Sequence, residues 1–333
     1  MKAFQLHFNS PLHIGKGIAN YEESNSKLHS DTLYAAIIQM WSSMGRLDWI
    51  DEFKNSKETF SISSAFPFAK IENNLEYFFP RPLLMHSIFK GDLLNYTAKD
   101  LKKVSFVNSN AFFELIGGNQ LIEKNVQIHG SYLIQSNQTV HWNGNVYDSE
   151  IQQRVAIPQD RDKDPKPFSV ERIRFSQGAG LYFLFHGSPE WENRVESALQ
   201  LLGEEGVGTD RNVGNGKFEL SKKDSFEVPT LNESEFSINL GLFKPSSESE
   251  LKQSIQHENA RFSLINRGGW ISEPHIGLRK SFGYFFQEGS LLNLKNNGSP
   301  SEFGSTYDLK PEGLGIQHSI LRVGKTIFFP VKV

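Results

Sequence analysis

The chain has 333 residues and no cysteine. That excludes disulfides and thiolate metal sites and is compatible with a reducing cytosol, the expected location. No segment approaches the ~18 consecutive apolar residues of a membrane helix. The opening MKAFQLHFNS has no signal-like apolar core either, so neither a membrane nor export is expected. Catalytic signatures are as scarce. The ten histidines form no HxxxH pair, and GxSxG does not occur. Asp160, Asp162 and Asp164 alternate in a loop, but the EF-hand glycine and closing glutamate are missing, and Arg161, Lys163 and Lys166 interleave. No metal or cofactor is expected. A net charge of -3 argues against a bulk polyanion binder while leaving room for a local basic groove.

What the chain does have is length, 38% hydrophobic residues and 27 phenylalanines. The length suggests two domains. Residues 2–8 alternate Phe4, Leu6 and Phe8 with Gln5 and His7, the pattern of a half-buried strand. A helix follows from HSDTLYAAIIQMW, with Ser30 as its N-cap, Asp31 in its first turn, and Leu33, Ile37, Met40, Met44 and Leu47 on one face. Residues 60–68 and 75–79 read as strands, 108–116 as a short helix, and 120–150 as hairpins or an irregular insertion. Residues 154–157 read as a strand, and 158–168 as a charged loop too rich in proline for regular structure. Residues 181–185 give an apolar strand, and 190–202 a helix burying Trp191, Val195, Leu199 and Leu202. Residues 217–220 give a closing strand. Without its insertions this half has the β-α-β-β-α-β order of a ferredoxin-like (RRM-like) unit.

A polar stretch around Pro229 marks a boundary, giving domains of 1–222 and 233–333. The second half repeats the order more loosely: strand 235–243, helix 247–258, strands 260–271 and 280–294, and a last strand from Thr326. Residues 295–315 offer only loop signals where a second helix belongs. The expected fold is therefore α+β, two ferredoxin-like units with loop and hairpin insertions, the second degenerate.

Between the helix at 190–202 and the strand at 217–220 lies GEEGVGTDRNVGNGKFEL. Gly206, Gly208, Gly214 and Gly216 surround Arg211 and Asn212, and Lys217 follows. Two readings stand. Such glycines can simply turn the chain, or they can let an anion reach bare main-chain N–H groups beside Arg211 and Lys217. Neither familiar nucleotide motif fits. A P-loop would need glycine at Arg211 and a hydroxyl at Phe218, and the helix–loop–strand order is the reverse of what both motifs require.

The other cations also fall at loops and element ends: Arg154, Arg172 and Arg174 around the charged loop, and Arg279 and Lys280 beside Phe282 in GLRKSFGYFF. Singly each reads as surface charge. Together they would suit a groove for single-stranded RNA, with cations for phosphates and aromatics for bases. His29 is the one tempting acid–base residue, though HSD also reads as a plain helix start.

Several blocks carry a resemblance: HSDTLYAAI, SSAFPF, RVAIPQDR, FSVERIRFSQGAGLYFLF, the glycine loop, GLRKSFGYFFQEGSLL and HSILRVGKTIFFPVKV. Across nearly the whole length the chain resembles the RAMP proteins of CRISPR effector complexes. It is most similar to the Csm-type subunit that caps the 5′ end of the guide RNA in type III-A complexes. The resemblance implies a non-catalytic RNA-binding subunit of antiviral defence that holds the crRNA 5′ handle. It would dock a large polymerase/cyclase-type subunit on one side and a neighbouring backbone RAMP subunit on the other. It also implies a projecting thumb centred on residues 158–168, where RVAIPQDR replaces the family's threonine-rich RVTIDR-like run. Two alternatives remain. One is a metal-independent endoribonuclease acting on repeat RNA with His29 as acid or base; the other is a target-cutting subunit using Asp31 and a metal. A subunit that caps a complex can also expose apolar surface before its partners arrive, and the phenylalanine content fits that.

Overall fold

The computed structural model describes all residues except 16–22, 25, 57–58, 85–86, 92–94, 159–163, 230–231, 270, 272–277, 297–300 and 312–318. Asp160, Arg161, Asp162 and Lys163 lie outside the described residues, as does much of the 295–315 stretch. The architecture is mixed α+β, built on a nine-stranded sheet.

The first strand, β1 (Lys2–Phe8), lies second from one edge of this sheet. The chain continues through α1 (Ser30–Ser43), β2 (Phe66–Ile71), β3 (Asn74–Pro80), β4 (Tyr147–Ala156), β5 (Lys166–Phe175), β6 (Ala179–His186), α2 (Pro189–Glu205) and β7 (Phe218–Lys223). The sheet runs β7-β1-β6-β2-β3, all antiparallel. It extends through Phe106–Asn108, Tyr132–Gln135 and Val126–His129, so the polar 120–150 region does supply a hairpin. Helix Ser109–Ile116 is capped by the Asn108 side chain, which accepts from the Ala111 amide.

On one face, Leu33, Ile37 and Met40 of α1 and Val195, Leu199 and Leu202 of α2 pack on Phe4, Leu6, Phe183 and Phe185. Met44 and Leu47, expected on the same apolar stripe, are exposed because α1 ends at Ser43 and the chain turns away. The opposite face is covered too. Gln5 is buried there, donating to the Tyr77 hydroxyl and accepting from Ser221 at 2.6 Å. Over residues 3–6 β1 is therefore buried on both faces rather than half-buried, because alternation reports residue polarity and a paired glutamine can sit inside.

The C-terminal half forms that cover. It contains β8 (Phe236–Asn239), α3 (Glu248–Gln256), β9 (Leu264–Arg267), β10 (Gly283–Phe286), β11 (Leu291–Leu292), β12 (Ser301–Phe303), β13 (Leu321–Val323) and β14 (Thr326–Val331). A sheet ordered β11-β8-β14-β12 packs Ile238, Leu240, Ile327 and Phe329 into the same core as Phe68, Phe79, Tyr182 and Leu184. The polar stretch between the halves is anchored there as well, since Phe226 is buried against Tyr77 and Tyr182. The single strand expected over 280–294 is two, β10 and β11, separated by a turn at Gly289 with φ +86°. Among the described residues between β11 and β14 there is no helix. The strand pair Thr306–Asp308 with β13 stands in that stretch.

Most phenylalanines are core. Phe4, Phe60, Phe68, Phe78, Phe79, Phe112, Phe183 and Phe185 are all fully buried, each contributing about 1.5–3 kcal/mol by area. Exposed large apolar side chains include Ile151, Val155, Ile157, Phe282 and Tyr284.

Candidate nucleic-acid interface

β4 and β5 form a ladder of ten residue pairs from Tyr147–Phe175 to Ala156–Lys166. Residues 166–168, expected to be irregular, are thus regular strand, with Pro167 opposite Val155. A two-stranded ribbon leaves half its amides unpaired, so a proline without an N–H costs no ladder bond at such a position. At the root of the ribbon Ile173 is buried, and Leu12 bridges it with reciprocal main-chain bonds of 2.8 Å. Farther out, Ile151, Val155 and Ile157 are exposed.

The charged side of the hairpin meets the glycine loop. Arg154 Nη1 lies 2.8 Å from Asp210 Oδ2, which ties the two insertions together. Arg172 and Arg174 share one carboxylate, Glu150, at 2.6 and 3.1 Å. Three arginines therefore face two acids here.

The loop is stitched to the chain that leaves β1. The Thr209 amide donates to the His13 carbonyl at 2.9 Å, the Gly216 amide to the Pro11 carbonyl at 2.8 Å, and the Lys217 amide to the Ser10 hydroxyl at 2.7 Å. This explains its glycines. A Cβ on Gly206, Gly208 or Gly216 would overlap the carbonyl oxygens of Asn215, His13 and Val207 respectively. The close approach they permit is to the protein's own backbone. Gly214 differs, having φ +84° and open space around it. It flanks the short turn Arg211–Val213, in which Arg211, Asn212 and Val213 all face outward. Arg211 Nη1 lies 4.0 Å from Glu205 Oε2, its one carboxylate partner among the described residues, and with Asn212, Thr209 and Asp210 it lines a shallow concavity. β1, β6 and β7 place the thumb root, the glycine loop and residues 9–15 at one edge of the sheet.

A second cluster lies over the N-terminus of α1. His29, not Ser30, is the N-cap residue, and its side chain makes no cap bond. Instead, three successive side chains reach the C-terminal half. His29 Nδ1 lies 2.7 Å from Glu288 Oε1, the Ser30 hydroxyl accepts the Leu242 amide at 2.9 Å, and Asp31 meets two arginines. Asp31 is wholly buried. Arg267 donates Nε and Nη2 to it at 2.9 Å each, and Arg322 Nη1 donates to Oδ2. Burial alone would raise this carboxyl, but Arg267 and Arg322 hold it at about 2. Each oxygen already accepts at least one guanidinium N–H, so Asp31 is an arginine organiser here and has no coordination site to offer a metal. Lys280 sits close by, its ammonium pulled below its ordinary value by burial and then by Arg322. One buried carboxylate thus holds two arginines. Arg279 and Phe282 flank Lys280, with Phe282 69% and Tyr284 60% exposed on the β9–β10 hairpin.

The expected residues therefore fall in two groups: Arg154, Arg172, Arg174 and the glycine loop at the thumb root, and Arg279, Lys280 and Phe282 beside Asp31. Arg267 and Arg322 lie more than 230 residues from Asp31, and no sequence pattern pairs them with it; Tyr284, two residues after Phe282, was also not among the expected residues. The only available signal was the alternation of Phe282 and Tyr284.

Residues 232–331 match the family model of the CRISPR Csm4 C-terminal domain. Curated Csm4 proteins of the archaea Methanocaldococcus jannaschii and Thermococcus onnurineus are also similar. The first is 26% identical, covering 79% of this chain and 77% of the relative. The second is 25% identical, covering 86% and 89%. Over most of its length the chain is thus similar to Csm4 proteins. Its fold is shared with a chain of a Csm3–Csm4 subcomplex of the type III-A CRISPR-Cas interference complex, with a TM-score of 0.65, 21% identity and full coverage of both. It is also shared with a chain of a Csm1–Csm4 cassette in complex with cA4, at a TM-score of 0.59, 20% identity and coverage of 100% and 98%. Among the described residues, no helix is long and apolar enough to cross a membrane.

Proposed function

We propose that this protein is the non-catalytic crRNA-binding subunit of a type III-A Csm complex. It would act in the cytoplasm, gripping the 5′ handle of the guide and joining a large Csm1-type subunit to a Csm3-type backbone subunit. Similarity to Csm4 proteins and the subcomplexes in which its structural neighbours occur support the assembly role. The observation that carries RNA binding is the single sheet edge at which the thumb root, Arg154, Arg172, Arg174 and the outward Arg211–Asn212 turn meet. A phosphate backbone suits that edge, and the exposed Phe282 and Tyr284 suit bases.

In this reading the N-terminal half is a ferredoxin-like unit. The antiparallel order β7-β1-β6-β2 with α1 and α2 on one face supports that, and β14-β8-β11 with α3 supports a degenerate second copy. The domains 1–222 and 233–333 are then two units sharing one core, so neither is expected to fold alone.

Arg211→Ala and Arg279→Ala are each expected to weaken binding to handle-containing RNA. Each should also reduce the slope of log K against log salt by roughly one unit per lost phosphate contact. Unchanged slopes for both in the assembled complex would remove this groove from consideration. A tagged copy is expected to co-purify with partner subunits and short RNAs sharing one 5′ sequence. The purified chain should leave repeat RNA uncut; metal-free cleavage lost in His29→Ala would instead establish the endoribonuclease reading.

A further inference from the structure

Away from both clusters, a cleft of about 410 Å³ opens between the two halves, near the lower end of the ~300–1,000 Å³ typical of small-molecule sites. Its walls are apolar, from Phe66, Pro80, Leu83, Val104 and Phe106. Its rim is cationic, from Lys27, Arg81 and Lys102. Lys27 Nζ lies 6.0 Å from the centre of the Phe106 ring. Arg81 donates to the Leu101 carbonyl at 2.6 Å, and burial lowers its pKa. Among the described residues, neither Arg81 nor Lys102 is paired with a carboxylate.

The floor is Glu288, whose side chain is only 6% exposed. Its Oε1 takes both His29 Nδ1 and the Ser64 hydroxyl. Its Oε2 takes no side-chain donor among the described residues, and the residue's own main-chain amide is the other group that favours the carboxylate. The pairing with His29 overcomes burial and keeps this carboxyl below its ordinary range, so it stays an ionised acceptor. Apolar walls, Arg81 and Lys102 without a carboxylate partner among the described residues, and a buried carboxylate form a set of complementary features for one kind of molecule. A nucleobase has apolar faces, an amino edge that donates, and a phosphate within reach of the rim.

We propose that this cleft takes a single nucleotide whose base carries an exocyclic amino group. The amino group would donate to Glu288 Oε2, and the phosphate would rest on Arg81 and Lys102. Uracil is disfavoured because it presents two carbonyl oxygens, one on either side of its only edge N–H, to a fixed negative charge. The inference rests on the cleft and does not need the thumb-edge RNA reading. A free nucleotide and one residue of a bound strand offer the same chemistry, and the test separates them.

The full-length chain is titrated with AMP, GMP, CMP and UMP, and with short RNAs differing at one position. Leu83→Trp fills the cleft from a wall position that is 37% exposed, and its fold is checked by thermal melting. Lys102→Glu reverses one rim charge. The amino-bearing nucleotides are expected to bind roughly tenfold or more tighter than UMP, since losing one bond to a charged acceptor has about that effect. Both variants should lose that binding. Mononucleotide binding assigns the cleft to free nucleotides. A base preference seen only with oligonucleotides and abolished by Leu83→Trp assigns it to a bound strand. Equal affinity for all four bases, or binding of both probe types unaffected by Leu83→Trp, would overturn the proposal. If Arg211→Ala leaves RNA binding intact while Leu83→Trp abolishes nucleotide binding, the thumb-edge reading fails and this one survives.

Discussion

Asp31→Ala is expected to destabilise the protein by about 3–5 kcal/mol, the usual cost of leaving buried partners of an ion pair uncompensated. Arg267 and Arg322, both mostly buried, would lose their shared carboxylate. The loss is read as a shift in the denaturant midpoint at neutral pH. The same residue sets an acid limb. A carboxyl held at about 2 in the folded state and near ~3.9 when unfolded contributes about 2.6 kcal/mol. Because the folded value is the lower one, that contribution is complete above about pH 5 and fades as pH falls toward 2. Glu288, also lowered, adds to the same limb. Parallel stability–pH curves for wild type and Asp31→Asn between pH 5 and pH 2.5 would show that the carboxylate is not responsible. This expectation also bears on the target-cutting alternative. A residue that catalyses is usually dispensable for folding, whereas Asp31 holds the two halves of the molecule together.

The second large effect is expected in the glycine loop, and the comparison within it matters more than any single value. Gly216→Ala places a Cβ onto the Val207 carbonyl at φ +76°. Left-handed strain alone costs about 1–3 kcal/mol, and the collision adds to it, because the neighbouring atoms are backbone and cannot rotate aside. Gly214→Ala, at φ +84° with open space, should cost only about 1 kcal/mol. Hydrogen exchange at the amides of Val207, Thr209 and Lys217 checks this directly. Gly216→Ala should expose them while Gly214→Ala leaves them protected. Equal effects of the two would mean that the loop is not held by its backbone contacts.

Much of the frame was legible in the chain. Period-two alternation placed β1, the apolar run gave β6, and the stripes of α1 and α2 located the two helices. Pattern followed structure there because alternation, an apolar run and a helical stripe are each local to one element. Legibility failed where partners are distant in sequence. Ser30 and Asp31 look like an ordinary helix start because those residue types do favour helix N-termini. Nothing local reveals that Ser30 bonds Leu242 or that Asp31 waits for Arg267 and Arg322, more than 230 residues away. Pro167 argued against regular structure, but an isolated ribbon has room for a missing N–H.

By itself, then, the sequence determined the α+β class, the order of strands and helices in the first half, the family resemblance, and the position of the glycine loop between α2 and β7. These are local or additive properties, written in period, composition and turn chemistry. Tertiary structure alone decided that the loop's close glycines serve its own backbone, that HSD clamps the two halves, and that a cationic cleft closes over Glu288. Those depend on which surfaces meet when two sheets share one core, and burial is what turns an ordinary aspartate, histidine or glutamate into a residue with a fixed partner.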